Sequence, residues 1–308
     1  MRPPKSAKRD VAAASFHSGF AAFIGRPNVG KSTLMNSLVG EKVAITSAKP
    51  QTTRHAIRGI VNRPDGQLIV VDTPGIHRPR TLLGERLNAL AKSTLGEVDI
   101  IGMCFPADEP VGKGDRYIAE QLNMYPRAIT VAIVTKTDVA SRVMTAERLL
   151  EVSELREWSE IVPVSALTAD HMDDLAQTLI RLLPSGPAFY DEETITDDDS
   201  EKRISELIRE SLLEALQDEL PHSLAVTIDE MVERQDKDLL EIYANIFVER
   251  DSQKAIIIGK AGARLKETGA ISRQAIEELL GRHIFLSIRV KVAKDWQRDP
   301  KKLERLGF

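Results

Sequence analysis

Residues 25–32 read GRPNVGKS and directly follow an apolar run at residues 20–24. The two glycines, the lysine and the serine fit the pattern G-x-x-x-x-G-K-[ST], which between a strand and a helix is typical of a phosphate-binding loop. Such a loop curls its backbone N–H groups around phosphate oxygens, and the N-terminus of the next helix adds a partial positive charge. We therefore expect Lys31 to reach the β- and γ-phosphates of a nucleotide and Ser32 to place its hydroxyl on Mg²⁺.

Short apolar runs alternate with longer mixed stretches on both sides of this loop. Continuous apolar runs are typical of strands that are covered on both faces, and most of the stretches between them are long enough for crossover helices. The pattern predicts an α/β domain with a mostly parallel sheet. Its predicted strands lie at residues 20–24, 68–71, 100–105, 129–134 and 161–164.

The second half of the chain has a different pattern. Residues 184–187 read PSGP and an acidic stretch follows, which together indicate a linker. The apolar spacing beyond it predicts the order helix, strand, strand, helix, helix, strand. The chain thus divides into an N-terminal tail (1–17), an α/β domain (18–187), an acidic linker (188–200) and an α+β domain (201–308).

Composition and charge narrow the class of protein. The 308 residues are 42% hydrophobic and 29% charged, which argues against disorder. The single cysteine, Cys104, excludes an intramolecular disulfide and favours a reducing compartment. No apolar run approaches the roughly 18 residues of a membrane helix. The basic residues within 1–9 fit either a transit segment or a short solvated tail.

The C-terminal end of the chain is basic. Residues 252–308 carry 13 Lys and Arg against 6 Asp and Glu, although the whole chain has a net charge of −4. This asymmetry fits a polyanionic partner, and it equally fits a merely solvated basic face.

A second motif of the predicted nucleotide site stands at residues 72–75, which read DTPG. Asp72, at the end of an apolar strand, can hold a Mg²⁺-bound water, and the Gly75 N–H can face a γ-phosphate. By itself D-x-P-G is an ordinary turn. Downstream of the phosphate loop it favours a nucleotide-hydrolysing site.

Residues 135–138 read TKTD, and residues 165–167 read SAL. A phosphate loop, D-x-x-G and [NT]-K-x-D in this order resemble a GTPase of the translation-factor class. The resemblance implies that Asp138 accepts hydrogen bonds from guanine, that Lys136 lies over the purine plane, and that the Ala166 N–H faces the guanine oxygen. Thr135 stands where the family usually has Asn, and its hydroxyl can make one bond to the phosphate loop but cannot supply the full amide set.

Residues 50–54, PQTTR, resemble the first switch of these GTPases, whose threonine hydroxyl completes the Mg²⁺ shell. Thr52 and Thr53 are adjacent, and we assign that role to Thr53, because related GTPases keep a threonine directly before the arginine; an ordinary polar loop threonine is the alternative. Ile76 stands where Ras-like GTPases place a water-orienting glutamine, and an apolar side chain cannot orient water. This departure is typical of a group of bacterial assembly GTPases in which Asn28 is a candidate K⁺ ligand; the alternative is that Asn28 only shapes the loop. Either way we expect slow intrinsic hydrolysis.

Residues 259–262, GKAG, fit G-x-x-G between two predicted helices. KH modules use such a turn to clamp about four nucleotides of single-stranded backbone. Lys260 supplies charge beside the glycines, and further cations follow on the next helix. The alternative is a helix–helix turn of a protein-binding module.

The two halves together resemble the Era family over roughly residues 18–308. The resemblance implies a P-loop GTPase domain with a mostly parallel sheet, followed by an α+β type II KH domain. It implies hydrolysis of GTP to GDP and phosphate with Mg²⁺, binding to the 3′ end of 16S rRNA, and assistance in assembly of the small (30S) ribosomal subunit. It further implies a cytoplasmic monomer with peripheral contact at the inner face of the cell membrane and no DNA partner.

Two other functions stay open at this point: a GTPase of a related RNA-modification class, and an RNA-binding protein whose nucleotide is structural. The candidate catalytic residues are Lys31, Thr53 and Gly75, and the candidate metal ligands are Ser32, Thr53 and Asp72. The candidate nucleotide-binding residues are Gly25, Asn28, Val29, Gly30, Lys31, Ser32, Thr33, Asp72, Thr73, Pro74, Gly75, Thr135, Lys136, Asp138, Ser165, Ala166 and Leu167. The candidate RNA-binding residues are Gly259, Lys260, Ala261, Gly262, Arg264, Lys266 and Arg273.

Overall fold

The computed structural model describes residues 16–47, 49, 52–75, 79–216, 223–234 and 239–308. The predictions on Pro50, Gln51 and Ile76, and on most of the N-terminal tail, lie outside the described residues.

The first domain is built on one six-stranded sheet with the strand order β2-β3-β1-β4-β5-β6. Neighbouring strands pair in parallel, except that β2 pairs antiparallel with β3. The mostly parallel α/β sheet predicted from the apolar runs is confirmed. The strands are β1 (His17–Ile24), β2 (Ile57–Arg63), β3 (Gly66–Asp72), β4 (Ile100–Pro106), β5 (Ile129–Thr135) and β6 (Glu160–Pro163).

Strand β2 is absent from the predicted apolar runs. It lies at the edge of the sheet, and polar residues such as Arg58 and Asn62 interrupt its apolar character. The acidic linker covers this edge: the Ile60 N–H donates to the Ile195 carbonyl at 2.9 Å, and the Arg58 guanidinium lies 2.8 Å from Asp197. Covering an edge strand removes unpaired backbone groups that would otherwise promote association.

Helices cover both faces of the sheet. The buried side chains of α1 and α5 pack on one face, and those of α2, α3 and α4 form a second cluster. Because parallel strands end at the same edge, the loops after β1, β3 and β5 meet there. The helices are α1 (Lys31–Val39), α2 (Leu82–Glu97), α3 (Lys113–Gln121), α4 (Arg142–Leu155) and α5 (Met172–Leu182).

The second domain has the predicted order of helix, strand, strand, helix, helix, strand. Its sheet has the order β7-β8-β9, in which β7 is antiparallel to β8 and β8 is parallel to β9. A short additional helix ends the chain. The elements are α6 (Ser200–Ala215), β7 (Ala225–Arg234), β8 (Leu239–Val248), α7 (Asp251–Ile258), α8 (Ala263–Leu280), β9 (Ile284–Val292) and α9 (Pro300–Arg305).

The two domains share an apolar cluster. Leu83 and Leu87 of α2 pack with Trp296, Leu303 and Leu306 near the C-terminal end. Burial of large apolar side chains contributes about 1.5–3 kcal/mol each, so this cluster holds the second domain against the helix that follows β3. Among the described residues, none of the helices is sufficiently long and apolar to span a bilayer.

Candidate functional site

The phosphate loop joins β1 to α1 and packs against β4. At Gly25, φ is +149°, and a Cβ would lie 2.8 Å from the Cys104 carbonyl oxygen, so only glycine fits this crossing. Lys31 is buried beneath the loop, where its Nζ donates to the carbonyls of Gly25 at 3.3 Å and Arg26 at 3.1 Å. Burial lowers the pKa of Lys31, and the nearby charge of Asp72 opposes that shift. The result is a buried cation at a helix N-terminus, which suits a phosphate.

Three oxygen-bearing side chains meet next to Lys31. Asp72 Oδ2 accepts hydrogen bonds from Ser32 Oγ at 2.6 Å and Thr53 Oγ1 at 2.8 Å, and the two hydroxyls lie 3.2 Å apart. Asp72 is fully buried, and burial raises its pKa against the hydrogen bonds and the Lys31 charge that lower it. The structure thus brings together the three residues predicted as metal ligands.

The donor set of this cluster fits Mg²⁺. Asp72 Oδ1 is buried and has no hydrogen-bond partner within the described part of the chain. One carboxylate and two hydroxyls are hard oxygen ligands, and Mg²⁺ usually combines one or two carboxylates with water and substrate phosphates. Residues 16–47, 49, 52–75, 79–216, 223–234 and 239–308 contain no group of three or more His, Cys, Asp or Glu that could hold a metal.

The predicted base loop lies directly behind the phosphate loop. The Thr135 hydroxyl donates to the Val29 carbonyl at 2.7 Å. It therefore makes the one bond that a threonine can supply in place of the usual asparagine. Ser165 Oγ donates to Asp138 Oδ1 at 2.6 Å, which orients the carboxylate. Lys136 has a positive φ of +59° and lines the same cavity as the phosphate loop.

This cavity has a volume of about 460 Å³. It is lined by the predicted residues Asn28, Gly30, Lys31, Ser32, Thr33, Thr53, Gly75 and Lys136, and also by Pro27, Thr46, Ser47, Lys49, Thr52 and Glu214. Glu214 lies on α6, so the second domain reaches the rim of the nucleotide site. No motif indicated Glu214, because only the packing of the two domains brings it there. The predicted nucleotide-binding residue Leu167 is not among these lining residues, and its side chain is 77% exposed.

The segment that follows α1 is tied to the second domain. Glu210 of α6 accepts from the Thr46 N–H at 2.9 Å and pairs with Lys42 at 2.5 Å, although Lys42 and Glu210 are 168 positions apart. Arg54 is 2% exposed, donates to the Leu224 carbonyl and lies over the Phe308 ring. Sequence reasoning missed these residues, since charged residues at such separation carry no spacing signal.

The second candidate site is the turn between α7 and α8. Gly259, Ala261 and Gly262 all have positive φ, of +71°, +50° and +78°. A Cβ at Gly259 would lie 2.8 Å from Arg264 Cβ, so this glycine allows the tight turn. Lys260 and Ala261 are exposed at its tip.

A cavity of about 540 Å³ extends from this turn between α8 and β9. Gly262, Lys266 and Arg273 lie at its edge, and apolar side chains such as Leu265 and Ile288 also line it. An apolar platform with cations beside it suits stacked bases and their backbone. Arg264 is placed differently, since its guanidinium donates to the Ile256 carbonyl at 2.7 Å, at the C-terminal end of α7.

These features define the class of protein to which the chain belongs. A phosphate loop, a hydroxyl–carboxylate cluster for Mg²⁺ and a loop with Asp138 converge at one edge of a P-loop sheet, which is the arrangement of a guanine-nucleotide-binding protein. A family model for a 50S ribosome-binding GTPase matches residues 20–136, and a KH-domain model matches residues 219–297. GTPase Era of Mycolicibacterium smegmatis is 58% identical over 296 residues, covering 95% of this chain and 99% of that protein. The chain therefore belongs to the Era family of GTPases.

Other known proteins agree with this assignment. GTPase Era of Streptomyces coelicolor is 57% identical, with 94% of this chain and 95% of that protein covered. The crystal structure of an Aquifex aeolicus Era variant bound to GDP and AlF₄⁻ has a TM-score of 0.91 at 36% identity, covering 94% of this chain and 99% of that one. A structure of Era in complex with MgGDPNP and nucleotides 1506–1542 of 16S ribosomal RNA has a TM-score of 0.90 at 36% identity, covering 95% and 99%.

Proposed function

We propose that this chain is a GTP-hydrolysing switch that binds the 3′ end of 16S rRNA and assists assembly of the small ribosomal subunit. The observation that carries the proposal is the presence, in one chain, of the nucleotide cluster around Asp72 and the G-x-x-G turn beside an apolar cavity with cations at its edge. The Era complex with 16S rRNA, which shares the fold of 95% of this chain, supports the same partner.

The nucleotide roles follow from the positions of the side chains. Lys31 offers a buried positive charge to the β- and γ-phosphates, and Gly75 lies near it, since a Cβ at Gly75 would be 3.9 Å from Lys31 Nζ. Ser32, Thr53 and Asp72 would hold Mg²⁺, which when bound neutralises charge on the phosphates. Catalysis then rests on fixed donors and charges aimed at the transferring phosphoryl group.

Hydrolysis in this site depends on a cation near Asn28. Asn28 has a φ of +65° and lines the nucleotide cavity, so a K⁺ ion held by its side chain and the phosphates would supply charge where other GTPases use an arginine. We expect replacement of K⁺ by Na⁺ at equal ionic strength to slow turnover by at least about tenfold. The measurement is phosphate release from GTP under single-turnover conditions.

The matched control for this cation is Asn28→Ala, which should turn over equally slowly in both salts. Binding of GDP should not distinguish K⁺ from Na⁺. Equal hydrolysis rates of the unsubstituted protein in the two salts would exclude the cation and leave Asn28 with a role in loop shape only.

The test of the proposed function is RNA affinity in defined nucleotide states. We expect the full chain to bind a 16S rRNA 3′-end oligonucleotide more tightly with GDPNP and Mg²⁺ than with GDP, measured by fluorescence anisotropy. Equal affinity in both states would favour a structural nucleotide. A lack of preference over a scrambled oligonucleotide, together with crosslinking in cells to other RNAs, would favour the RNA-modification class.

The cellular location is part of the same proposal. Because ribosomal subunits assemble in the cytoplasm, the proposed partner implies a cytoplasmic protein. A reducing cytoplasm suits the single thiol of the chain, Cys104. That thiol is buried, and burial raises the pKa of Cys104 to about 12. Peripheral contact with the inner face of the membrane, a monomeric state and the lack of a DNA partner stay predictions of the family resemblance.

A further inference from the structure

The first helix of the second domain contacts the peptide group that precedes Thr53. Arg209 of α6 is 2% exposed, and its Nη2 donates to the Thr52 carbonyl across the interface between the domains. That carbonyl belongs to the planar peptide unit that includes the Thr53 nitrogen. Fixing the Thr52 carbonyl therefore fixes where the Thr53 nitrogen lies and limits where the Thr53 side chain can reach.

The guanidinium of Arg209 is itself held in one orientation. Its Nε donates to Glu206 Oε1 at 2.8 Å and its Nη2 contacts Glu206 Oε2, one turn earlier on the same helix. Such a bidentate pair gives directional control that a single ammonium does not. Arg209 Nη1 has no hydrogen-bond partner within the described part of the chain. Within the described part of the chain, the bond to the Thr52 carbonyl is thus the hydrogen bond that Arg209 makes outside its own helix.

On the other side of the same peptide, the Thr53 hydroxyl lies 2.8 Å from Asp72 Oδ2 and 3.2 Å from Ser32 Oγ. The segment is fixed again on both sides of this point. Glu210 holds the Thr46 N–H, and the His55 ring stacks on the Phe308 ring with centroids 5.2 Å apart. The second domain therefore contacts residues on both sides of Thr53, and Arg209 contacts the peptide group that directly precedes it.

We propose that Arg209 is a positioning residue for Thr53, so that the second domain sets the Mg²⁺ affinity of the triphosphate-bound site. This inference rests on the proposed role of Thr53 as a Mg²⁺ ligand. Without the guanidinium, the Thr52 carbonyl loses a charge-assisted hydrogen bond, and the Thr53 hydroxyl samples orientations that do not face Asp72. A diphosphate state, which does not use this threonine, is unaffected.

The experiment is a Mg²⁺ titration of fluorescent GDPNP binding to the full chain, with GDP binding as the parallel measurement. Arg209→Met keeps the apolar stem and removes the hydrogen bonds. We expect it to raise the Mg²⁺ concentration for half-maximal GDPNP binding by about tenfold, the effect of one hydrogen bond to a charged group, and to leave the GDP titration unchanged. Arg209→Lys should restore part of the affinity. Hydrogen exchange at residues 52–54 should rise in parallel.

Two variants keep the test decisive if Arg209→Met unfolds. Glu206→Gln keeps the shape of the side chain that pairs with Arg209 while removing its charge. It should raise the Mg²⁺ concentration for half-maximal GDPNP binding by a smaller factor than Arg209→Met does. Arg203→Met is the matched control, because Arg203 lies on the same helix but its charge faces Asp198 and Glu41. It should behave like the unsubstituted protein.

Thr53→Ala separates this inference from the role of Thr53 on which it rests. If Thr53→Ala shifts the Mg²⁺ titration while folded Arg209→Met and Glu206→Gln do not, Arg209 is not a positioning residue. If Thr53→Ala leaves the titration unchanged, the proposed role of Thr53 fails and the inference fails with it. Equal shifts in the GDP and GDPNP titrations of Arg209→Met would mean that Arg209 supports the structure in general and does not position Thr53 for Mg²⁺. That result would overturn the proposal.

Discussion

Asp138→Asn should lower GTP affinity by about tenfold or more and raise XTP affinity. Guanine presents two donors to the carboxylate, and an amide offers one acceptor and one donor, so one partner is lost; xanthine presents one donor and one acceptor and fits the amide. A hydrogen bond to a charged group contributes about 1.5–3 kcal/mol, which sets the expected size. The measurement is competition of GTP and XTP against a fluorescent nucleotide.

The hydrogen bond from Ser165 to Asp138 provides a second variant that tests the same base site. Ser165 Oγ lies 2.6 Å from Asp138 Oδ1, so Ser165→Ala should weaken GDP binding without creating a preference for xanthine. Asp170→Asn is the matched control, since Asp170 is exposed and meets Ser165 through its backbone carbonyl. If Asp138→Asn keeps the original preference for GTP over XTP, Asp138 does not belong to the base site.

Lys260→Asp combined with Ala261→Asp should weaken RNA binding by at least about tenfold and leave GTP hydrolysis without RNA close to the original rate. The two carboxylates would face RNA phosphates at the tip of the turn, and the salt dependence should become shallower by roughly 0.7 per lost phosphate contact. Folding should survive, because both residues are exposed. Ala261 has a φ of +50°, a conformation that Asp adopts more readily than Ala does.

The measurement is a salt titration of binding to a 16S rRNA 3′-end oligonucleotide, beside a GTPase assay. Arg127→Asp with Asn123→Asp is the matched control, since it changes the net charge by the same amount at exposed positions of the first domain. It should keep most of the RNA affinity. Unchanged affinity and salt slope in the turn variant would mean that this turn does not clamp RNA.

Local motifs predicted most of the nucleotide site. The phosphate loop needs glycines at a tight crossing and a lysine at a helix N-terminus, and Gly25 and Lys31 meet those needs through backbone geometry within a few residues. The predicted single bond of Thr135 is present as well, because β5 lies next to β4 and opposite the loop. Such requirements are short-range or follow from the parallel sheet, so they are visible in spacing.

Other features had no local signal. Strand β2 owes its place to pairing with β3 and to the linker at its outer edge, because its polar residues hide the apolar pattern. The guanidinium of Arg264 lies at the end of α7 instead of beside Lys266 at the cavity, a choice that depends on how closely α7 and α8 approach. Sequence spacing placed Arg264 on the correct helix but could not give its direction.

The sequence by itself thus determined the fold class, the nucleotide-site motifs and the order of elements in the second domain, because periodicity and backbone requirements act over a few residues. Only the tertiary structure decided that α6 makes hydrogen bonds to the segment that precedes Thr53. The contacts of Arg209 with Thr52 and of Glu210 with Thr46 join parts of the chain more than 150 residues apart. They arise when two separately folded surfaces pack, and charged residues on an amphipathic helix look the same whether they face solvent or a partner domain.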